Sequence, residues 1–328
     1  MRKITLLLSF VACAFFAQGQ LLVNENFDYA SGSALIGQGS WAIVGTSVIN
    51  PINVSATSIS YSGYPSSGIG QELSLANNGQ DITKSFTAQK SGSIYFSVLV
   101  NLSAAQAPSD YFIHLGEPGS TSAYFGRIYA KLDAGKIAFG IANASISTSG
   151  VATYTTSIYE LNTTYLIVVK VDVLTGTSSL IVNPAMSAEP TTDWIVSSTP
   201  TNGGVGGPTV PSAVGLGAIN IRQGSSTNAP TLKLDGIRVA TTWATLFDPT
   251  ATVAAGTHNP SAANFNATVS GKNLLVSNVA NGTTVEIFSA LGSKVQSSEL
   301  VNGAITLHNL TKGLYVVRVG KNTQKIRL

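Results

Sequence analysis

Short runs of alternating apolar and polar residues fill most of this chain. Ile94, Phe96, Val98 and Val100 fall on one face of a strand, because successive side chains in extended backbone point to opposite sides. Phe125, Arg127, Tyr129 and Lys131 fall on one face of another, which Asp133-Ala134-Gly135 turns into a partner over 136–141. Segments 165–172 and 179–183 pair around Thr175-Gly176, and 232–240 supplies a closing strand. No run at helical spacing reaches ordinary helix length. From Phe265 the segments shorten to 273–278, 284–289, 294–300, 304–308, 314–319 and 323–328. Between them stand Asn281-Gly282, Leu291-Gly292, Asn302-Gly303 and Lys312-Gly313. Asn-Gly is a strong hairpin signal, since both residues accept positive φ. The expected fold class is all-β.

Composition agrees with that pattern. Thirty-two glycines, 12 prolines and only 10% charged residues, against about 25% in an average soluble domain, suit many strands and tight turns and exclude a charge-rich disordered chain. The charge is unevenly placed. From Ala251 on, seven basic residues face Glu286 and Glu299, a net of +5, whereas 20–250 carries 9 basic and 13 acidic residues, a net of −4. Such asymmetry points to two domains with different partners. A net-negative first domain also argues against nucleic-acid binding.

Residues 1–19 have the form of a secretory leader: Arg2 and Lys3, an apolar core over 4–17, then Ala17-Gln18-Gly19 at cleavage-like positions. Phe10-Val11-Ala12-Cys13 departs from a lipobox in its first residue and in the apolar Ala14-Phe15-Phe16 that follows, so Cys13 is expected to leave with the leader. The mature chain then has no thiol. No later run is long and uncharged enough to span a bilayer; 166–174, the most apolar, is broken by Lys170 and Asp172. The expected organisation is a leader over 1–19, a passenger over 20–248, a linker over 249–264 and a small antiparallel sandwich over 265–328.

The residues Asn309-Leu310-Thr311-Lys312-Gly313-Leu314-Tyr315-Val316-Val317-Arg318-Val319, with Gln324-Lys325-Ile326-Arg327-Leu328 after them, resemble a type A C-terminal sorting domain of the type IX secretion system. Residues 285–295 resemble the preceding hairpin of that family. The resemblance implies an Ig-like antiparallel sandwich whose sorting signal includes Lys312, Gly313, Leu314, Tyr315, Arg318, Lys325 and Arg327. It also implies export through the periplasm to the outer cell surface or the medium. The implied partners are the outer-membrane translocon, its sorting protease and, for attached products, surface lipopolysaccharide. A plain Ig-like module would show the same alternation, and a lysine-rich last strand also blunts a sheet edge.

The passenger is the size of a jelly roll. Glu25-Asn26-Phe27-Asp28-Tyr29 with Gly39-Ser40-Trp41, the hairpin 165–183, and Leu234-Asp235-Gly236-Ile237-Arg238-Val239 with Trp243 resemble the concanavalin A-like (LamG-like) jelly rolls of secreted bacterial proteins. In those folds the first and last strands pair, which makes Glu25, with Asp28 in reserve, and Asp235 candidate ligands of a structural Ca²⁺. Oxygen donors suit that ion. The alternative is that Asp235 caps a turn before Gly236.

Catalytic chemistry is harder to find. The Glu-x-Asp-x-x-Glu strand of laminarinase-type hydrolases is absent, and no other passenger glutamate has a second carboxylate at strand spacing. His114 is the lone passenger histidine, so zinc is not expected. Gly203-Gly204-Val205-Gly206-Gly207 runs into Pro208 and lacks Gly-Lys-Ser/Thr, so it reads as a loop rather than a phosphate cradle. For a glycan, an exposed aromatic is the needed part, and Trp194 in a polar loop is the first candidate, then Tyr61 and Tyr64 around Gly63. Trp41 and Trp243 belong in the core. The expected function is a non-catalytic glycan-binding or adhesin-like surface protein. A polysaccharide hydrolase with an unfamiliar site and a purely structural surface component remain as alternatives.

Overall fold

Two packing units, Met1–Ala254 and Ala255–Leu328, make up this computed structural model. It describes residues 19–143, 152–197, 211–253, 265–277, 279, 281–308, 310–320 and 322–328. The leader expected over 1–19, but for Gly19, the Gly203–Gly207 loop and residues 254–264 of the expected linker lie outside the described residues.

The first unit's strands are β1 (Leu21–Glu25), β2 (Trp41–Val44), β3 (Leu73–Leu75), β4 (Asp81–Gln89), β5 (Ser93–Ala104), β6 (Asp110–Gly116) and β7 (Phe125–Asp133). They continue as β8 (Lys136–Ala142), β9 (Thr153–Tyr154), β10 (Thr164–Asp172), β11 (Ser178–Val182), β12 (Ile195–Val196), β13 (Leu216–Ile221) and β14 (Thr231–Ala240). One five-residue helix, α1 (Trp243–Phe247), follows. The first sheet runs β1-β14-β5-β10-β11-β12, with β3 also on β14; the second runs β2-β4-β13-β6-β7-β8-β9, and every pairing is antiparallel. This is an all-β sandwich of jelly-roll type, and its first and last strands pair, with Glu25 opposite Ile237.

The inner faces meet in one core. Ile94, Phe96, Val98 and Val100 point into it as their alternation predicts, against Ile82, Ile128, Phe139 and Ile219 of the second sheet. The first sheet is apolar on its outer face too. Tyr95, Leu99, Leu166, Val168 and Ile181 there lie under Ile59, Tyr64, Trp243 and Leu246 in a second apolar cluster. Two-sided burial explains the unbroken run Leu166-Ile167-Val168-Val169 in β10.

Polar anchors hold that cover down. Buried Asp235 accepts hydrogen bonds through Oδ2 from the Ser58 hydroxyl (2.8 Å) and the Ile59 amide (2.9 Å), and through Oδ1 from the Gly236 amide (2.7 Å). Arg238, also buried, donates Nε–H to the Leu246 carbonyl (2.7 Å) and Nη2–H to that of Asp248 (2.8 Å), satisfying carbonyls that α1 leaves open. On the inner side, Glu25 accepts from the Phe27 amide (3.0 Å), Trp41 Nε1–H (3.1 Å), the Tyr29 hydroxyl (3.1 Å) and Lys84 Nζ (2.7 Å).

The second unit holds β15 (Asn266–Ser270), β16 (Asn273–Ser277), β17 (Thr284–Ser289), β18 (Lys294–Glu299), β19 (Ala304–Thr306), β20 (Leu314–Val319) and β21 (Asn322–Arg327). Two sheets, β15-β16-β19 and β18-β17-β20-β21, enclose Leu274, Val285, Ile287, Leu300 and Val317. The sequence marks six of these strands; β15, pairing with β16, is the addition. Two glutamines stitch the sheets along their edges. Gln324 accepts from the Ala267 amide (2.7 Å) and donates to its carbonyl (2.9 Å); Gln296 donates to the Thr306 carbonyl (2.7 Å) and accepts from the His308 amide (3.1 Å). Each side-chain amide thus does the work of one strand residue.

Removing the Glu25 carboxylate orphans the Trp41 indole and the Phe27 amide at once and takes the counter-charge from Lys84, which keeps the Gly39 carbonyl. Glu25→Ala should therefore cost about 3 kcal/mol in chemical denaturation of the first unit. A cost below about 1 kcal/mol would show that water replaces those bonds.

Candidate functional site

With the first sheet covered on both faces, the broad polar surface of the first unit is the outward face of the second sheet. β7 shows how it is made. Gly126, at φ +61°, breaks the alternation that would put Phe125 and Arg127 on one face. Phe125 turns into the core, while Arg127, Tyr129 and Lys131 face outward. A Cβ on Gly126 would sit 2.8 Å from Val169 Cγ1, so only glycine fits this kink. The face shared by Phe125 and Arg127 in the sequence pattern is corrected accordingly.

Neighbouring strands bring the rest. β6 contributes Asp110, Tyr111 and His114, β13 contributes Asn220, with Arg222 just beyond it, and β4 contributes Asp81. The loop before β7 adds Tyr124, and β9 adds Tyr154. Tyr154 lies against β8 at Gly140, where a Cβ would meet its ring at 2.7 Å.

Cations organise these rings. The Arg222 guanidinium carbon lies 4.5 Å from the Tyr111 ring centre and that of Arg127 4.9 Å. Arg127 also lies 5.4 Å from the Tyr129 ring and 5.8 Å from Tyr124, while Lys131 Nζ sits 4.8 Å over Tyr154. Buried Arg127 donates from Nη2 to the Asn143 carbonyl (3.1 Å), and its enclosed Nε has no hydrogen-bond partner. Contact with three ring faces is its compensation. Arg222 engages both carboxylates of this face, donating to Asp110 Oδ2 (2.5 Å) and pairing with Asp81 Oδ2 (3.8 Å). Burial raises the Asp81 carboxyl above its ordinary pKa against the pull of Arg222.

His114 is buried beneath this array, with ring contacts to Tyr124 (4.9 Å) and Tyr111 (5.6 Å) between centres. Burial takes its pKa down to about 3, with Arg127 and Arg222 pushing the same way against the bond to the Leu115 carbonyl. The neutral ring therefore donates Nδ1–H to that carbonyl (2.8 Å). Tyr111, His114, Tyr124, Asn220, Arg222 and Asp81 line a cavity of about 80 Å³.

The residues singled out from sequence lie elsewhere. Tyr64 is a core residue, its hydroxyl donating to the Gly236 carbonyl (2.6 Å), and it has no ring face to offer a ligand. Trp194 is half-buried on the cover of the first sheet, its indole N–H bonded to the Pro190 carbonyl (2.9 Å) and its ring edge-on to Trp243 at 5.9 Å. Tyr61 packs on the same cluster. Glu25, Asp28 and Asp235 are not brought together: Asp28 is exposed, and both carboxyl oxygens of Glu25 and of Asp235 already accept from different protein donors. Among the described residues no three His, Cys, Asp or Glu side chains cluster as a metal site would require. In the second unit Tyr315 is buried with its hydroxyl on the Thr311 carbonyl (3.0 Å), and Arg318 pairs with Glu286 (2.6 Å). Lys312, Leu314, Lys325 and Arg327 are exposed, and Gly313 exchanges main-chain bonds with Leu328 (3.0 and 3.2 Å).

Two titrations check this electrostatic picture by NMR. The His114 ring should show no protonation between pH 8 and 4.5, since its pKa is about 3. Because that pKa is depressed below the ordinary 6.5, the stability its neutral burial contributes is present above pH 6.5 and lost as pH falls. Asp235 behaves oppositely: desolvation raises its carboxyl to about 6, so its contribution is full below the ordinary carboxylate range and lost as pH rises through 6. Its carboxyl carbon should titrate with a midpoint near 6. A midpoint below 4 would mean that its three hydrogen bonds outweigh desolvation.

Among solved structures, the chain is similar to domain 4 of AbnA, a GH43 extracellular arabinanase from Geobacillus stearothermophilus, in complex with arabinotriose. The two are 13% identical, with 71% of this chain and 99% of that one covered and a TM-score of 0.40. It is also similar to the cellulose-induced protein Cip1 (14% identity, 67% and 97% covered, TM-score 0.39). A glycosyl hydrolase family protein from Mycobacterium fortuitum compares similarly (11% identity, 67% and 99% covered, TM-score 0.39). No curated protein sequence matches the chain. Among the described residues no helix is long and apolar enough to cross a membrane. Residues 259–327 match the family model of the secretion system C-terminal sorting domain. Through that domain the chain is identified as a cargo of the type IX secretion system, exported to the outer cell surface or the medium.

Proposed function

We propose that the first unit is a non-catalytic glycan-binding module and that the outward face of its second sheet is the binding surface. The observation that carries this is the set of half-buried rings Tyr111, Tyr124, Tyr129 and Tyr154, held by Arg127, Arg222 and Lys131. A sugar ring has an apolar C–H face and a polar rim. Aromatic rings with fixed positions take the first, and the Asn220 amide and the tyrosine hydroxyls offer both donors and acceptors to the second. The cavity of about 80 Å³ is well short of the roughly 300 Å³ at which pockets enclose whole ligands. It admits a substituent, such as a hydroxymethyl group, while the sugar ring lies across the surface.

Absence of catalysis is supported by the same contacts. Glycoside cleavage needs one carboxyl free to protonate and a second free to attack or to activate water. Asp81 and Asp110 share the Arg222 guanidinium, which ties up both.

A glycan array probed with the full chain tests this. Tyr124→Ala and Tyr154→Ala should each weaken the best hit about tenfold, whereas Trp194→Ala should leave it unchanged. Loss of binding in Trp194→Ala alone would move the site back to the first sheet, and no binding to any glycan would leave a structural role. Release of sugar from a bound polysaccharide would make the protein a hydrolase.

A further inference from the structure

The second unit contains an unpaired cationic groove that the sorting motif only partly explains. Its cavity of about 550 Å³ is lined by Lys272, at the β15–β16 turn, by His308, beyond β19, and by Lys312, before β20. Leu307, Leu310 and Leu328 form its floor and pack on the core of this unit. The walls are tied by main-chain bonds: Leu307 N–H donates to the Lys272 carbonyl (2.8 Å), and Leu328 and Gly313 pair.

The acidic side chains of this unit lie outside the groove. Glu286 and Glu299 stand on β17 and β18, and Glu286 is held by Lys294 (3.3 Å) and Arg318 (2.6 Å). At the groove, Lys272 and Lys312 are exposed, form no ion pair among the described residues, and have no acidic side chain in the lining. Two exposed lysines about an apolar floor, with no acidic side chain in the lining, are complementary to a ligand that is both acidic and apolar.

The edge beside the groove decides how such a ligand is held. Thr306 and His308 would be open to an added strand, but the Gln296 amide already occupies the Thr306 carbonyl and the His308 N–H. Recognition here proceeds through side chains, not β-augmentation. The floor is built of three leucines that pack on the core.

We infer that this groove is the docking surface through which the sorting domain is read, and that its occupant is an acidic, aliphatic-bearing segment of the outer-membrane export machinery. Within the motif, Lys312 then contacts the partner, while Tyr315, facing the core, shapes the groove from within.

The test is export of the full chain from a host with a working type IX system. Lys272→Glu with Lys312→Glu should lower the exterior fraction about tenfold and accumulate protein in the periplasm. The matched reversal Lys90→Glu with Lys294→Glu, at residues outside the lining of the groove, should export normally. Both should remain folded by circular dichroism once purified, the control with a small loss from its broken Lys294–Glu286 pair; if the groove pair does not, Lys272→Gln with Lys312→Gln replaces it and should show the same defect. Wild-type export of a folded groove variant, or equal failure of the matched reversal, overturns the inference. A second arm titrates the full chain with a labelled peptide of alternating Asp and Leu, and separately with purified lipopolysaccharide. Peptide binding that both salt and the groove variant abolish supports a protein occupant; groove-dependent binding of lipopolysaccharide alone would replace it with a lipid one.

Discussion

The first sheet gives up both of its faces to packing, the inner one to the second sheet and the outer one to Ile59, Tyr64, Trp194, Trp243 and Leu246. A sheet buried on both sides contributes stability, and its own strands present little polar surface. That constraint leaves the opposite sheet as the broad polar face of the first unit, with rings and charges among its outward residues, and it is the reason the proposed binding surface lies there. It also explains why the buried anchors Asp235 and Arg238 lie where they do: each fixes a segment of the cover, and without them the outer face would be an exposed apolar patch of the kind that drives association.

Much of the fold is legible in the chain because it is local. Alternation at Ile94–Val100 and the turn at Asp133-Ala134-Gly135 each depend on a handful of adjacent residues, and the structure has them. The Asn-Gly hairpin reading is corrected: Asn281-Gly282 and Asn302-Gly303 turn the chain, but they lead from β16 to β17 and from β18 to β19, crossing between the two sheets rather than joining paired neighbours. β15 passes unmarked because its run, Asn266-Ala267-Thr268-Val269-Ser270, alternates only small or weakly apolar side chains with polar ones. The site is less legible because strand order builds it. Arg127, Tyr129 and Lys131 on β7 are a visible signal of a polar, aromatic face. Nothing local to β6, β9 or β13 says that Tyr111, Tyr154 and Arg222 join them, since the order β13-β6-β7-β8-β9 is set by long-range pairing. Trp194 misleads for the converse reason: a tryptophan in a polar loop looks exposed until a short helix elsewhere in the chain supplies Trp243 against it.

In the second unit a linear motif divides into parts with different tasks. Tyr315 and Ile326 build the core, Gly313 lets the main chain pair with Leu328, and Lys312 is left outward. A recognition motif of this kind is readable in sequence because its structural members fix the geometry in which its exposed members are presented. The two glutamine stitches serve the same end, closing sheet edges that would otherwise accept any extended chain.

Stability without cross-links is the remaining physical problem for a chain whose one cysteine is Cys13. A disulfide of the kind common in exported domains acts largely by restricting the unfolded chain. Here the long-range ties are buried polar groups that join residues far apart in sequence: Glu25 to Lys84, Asp235 to Ser58 and Ile59, Arg238 to Asn24. Such bonds have geometric requirements that an apolar contact lacks, since a displaced donor leaves a buried charge unmet. They therefore specify one register of β1 against β14 and one seat for the cover. The native register is selected by the cost of every alternative rather than by a covalent bond, and it needs no oxidant to form.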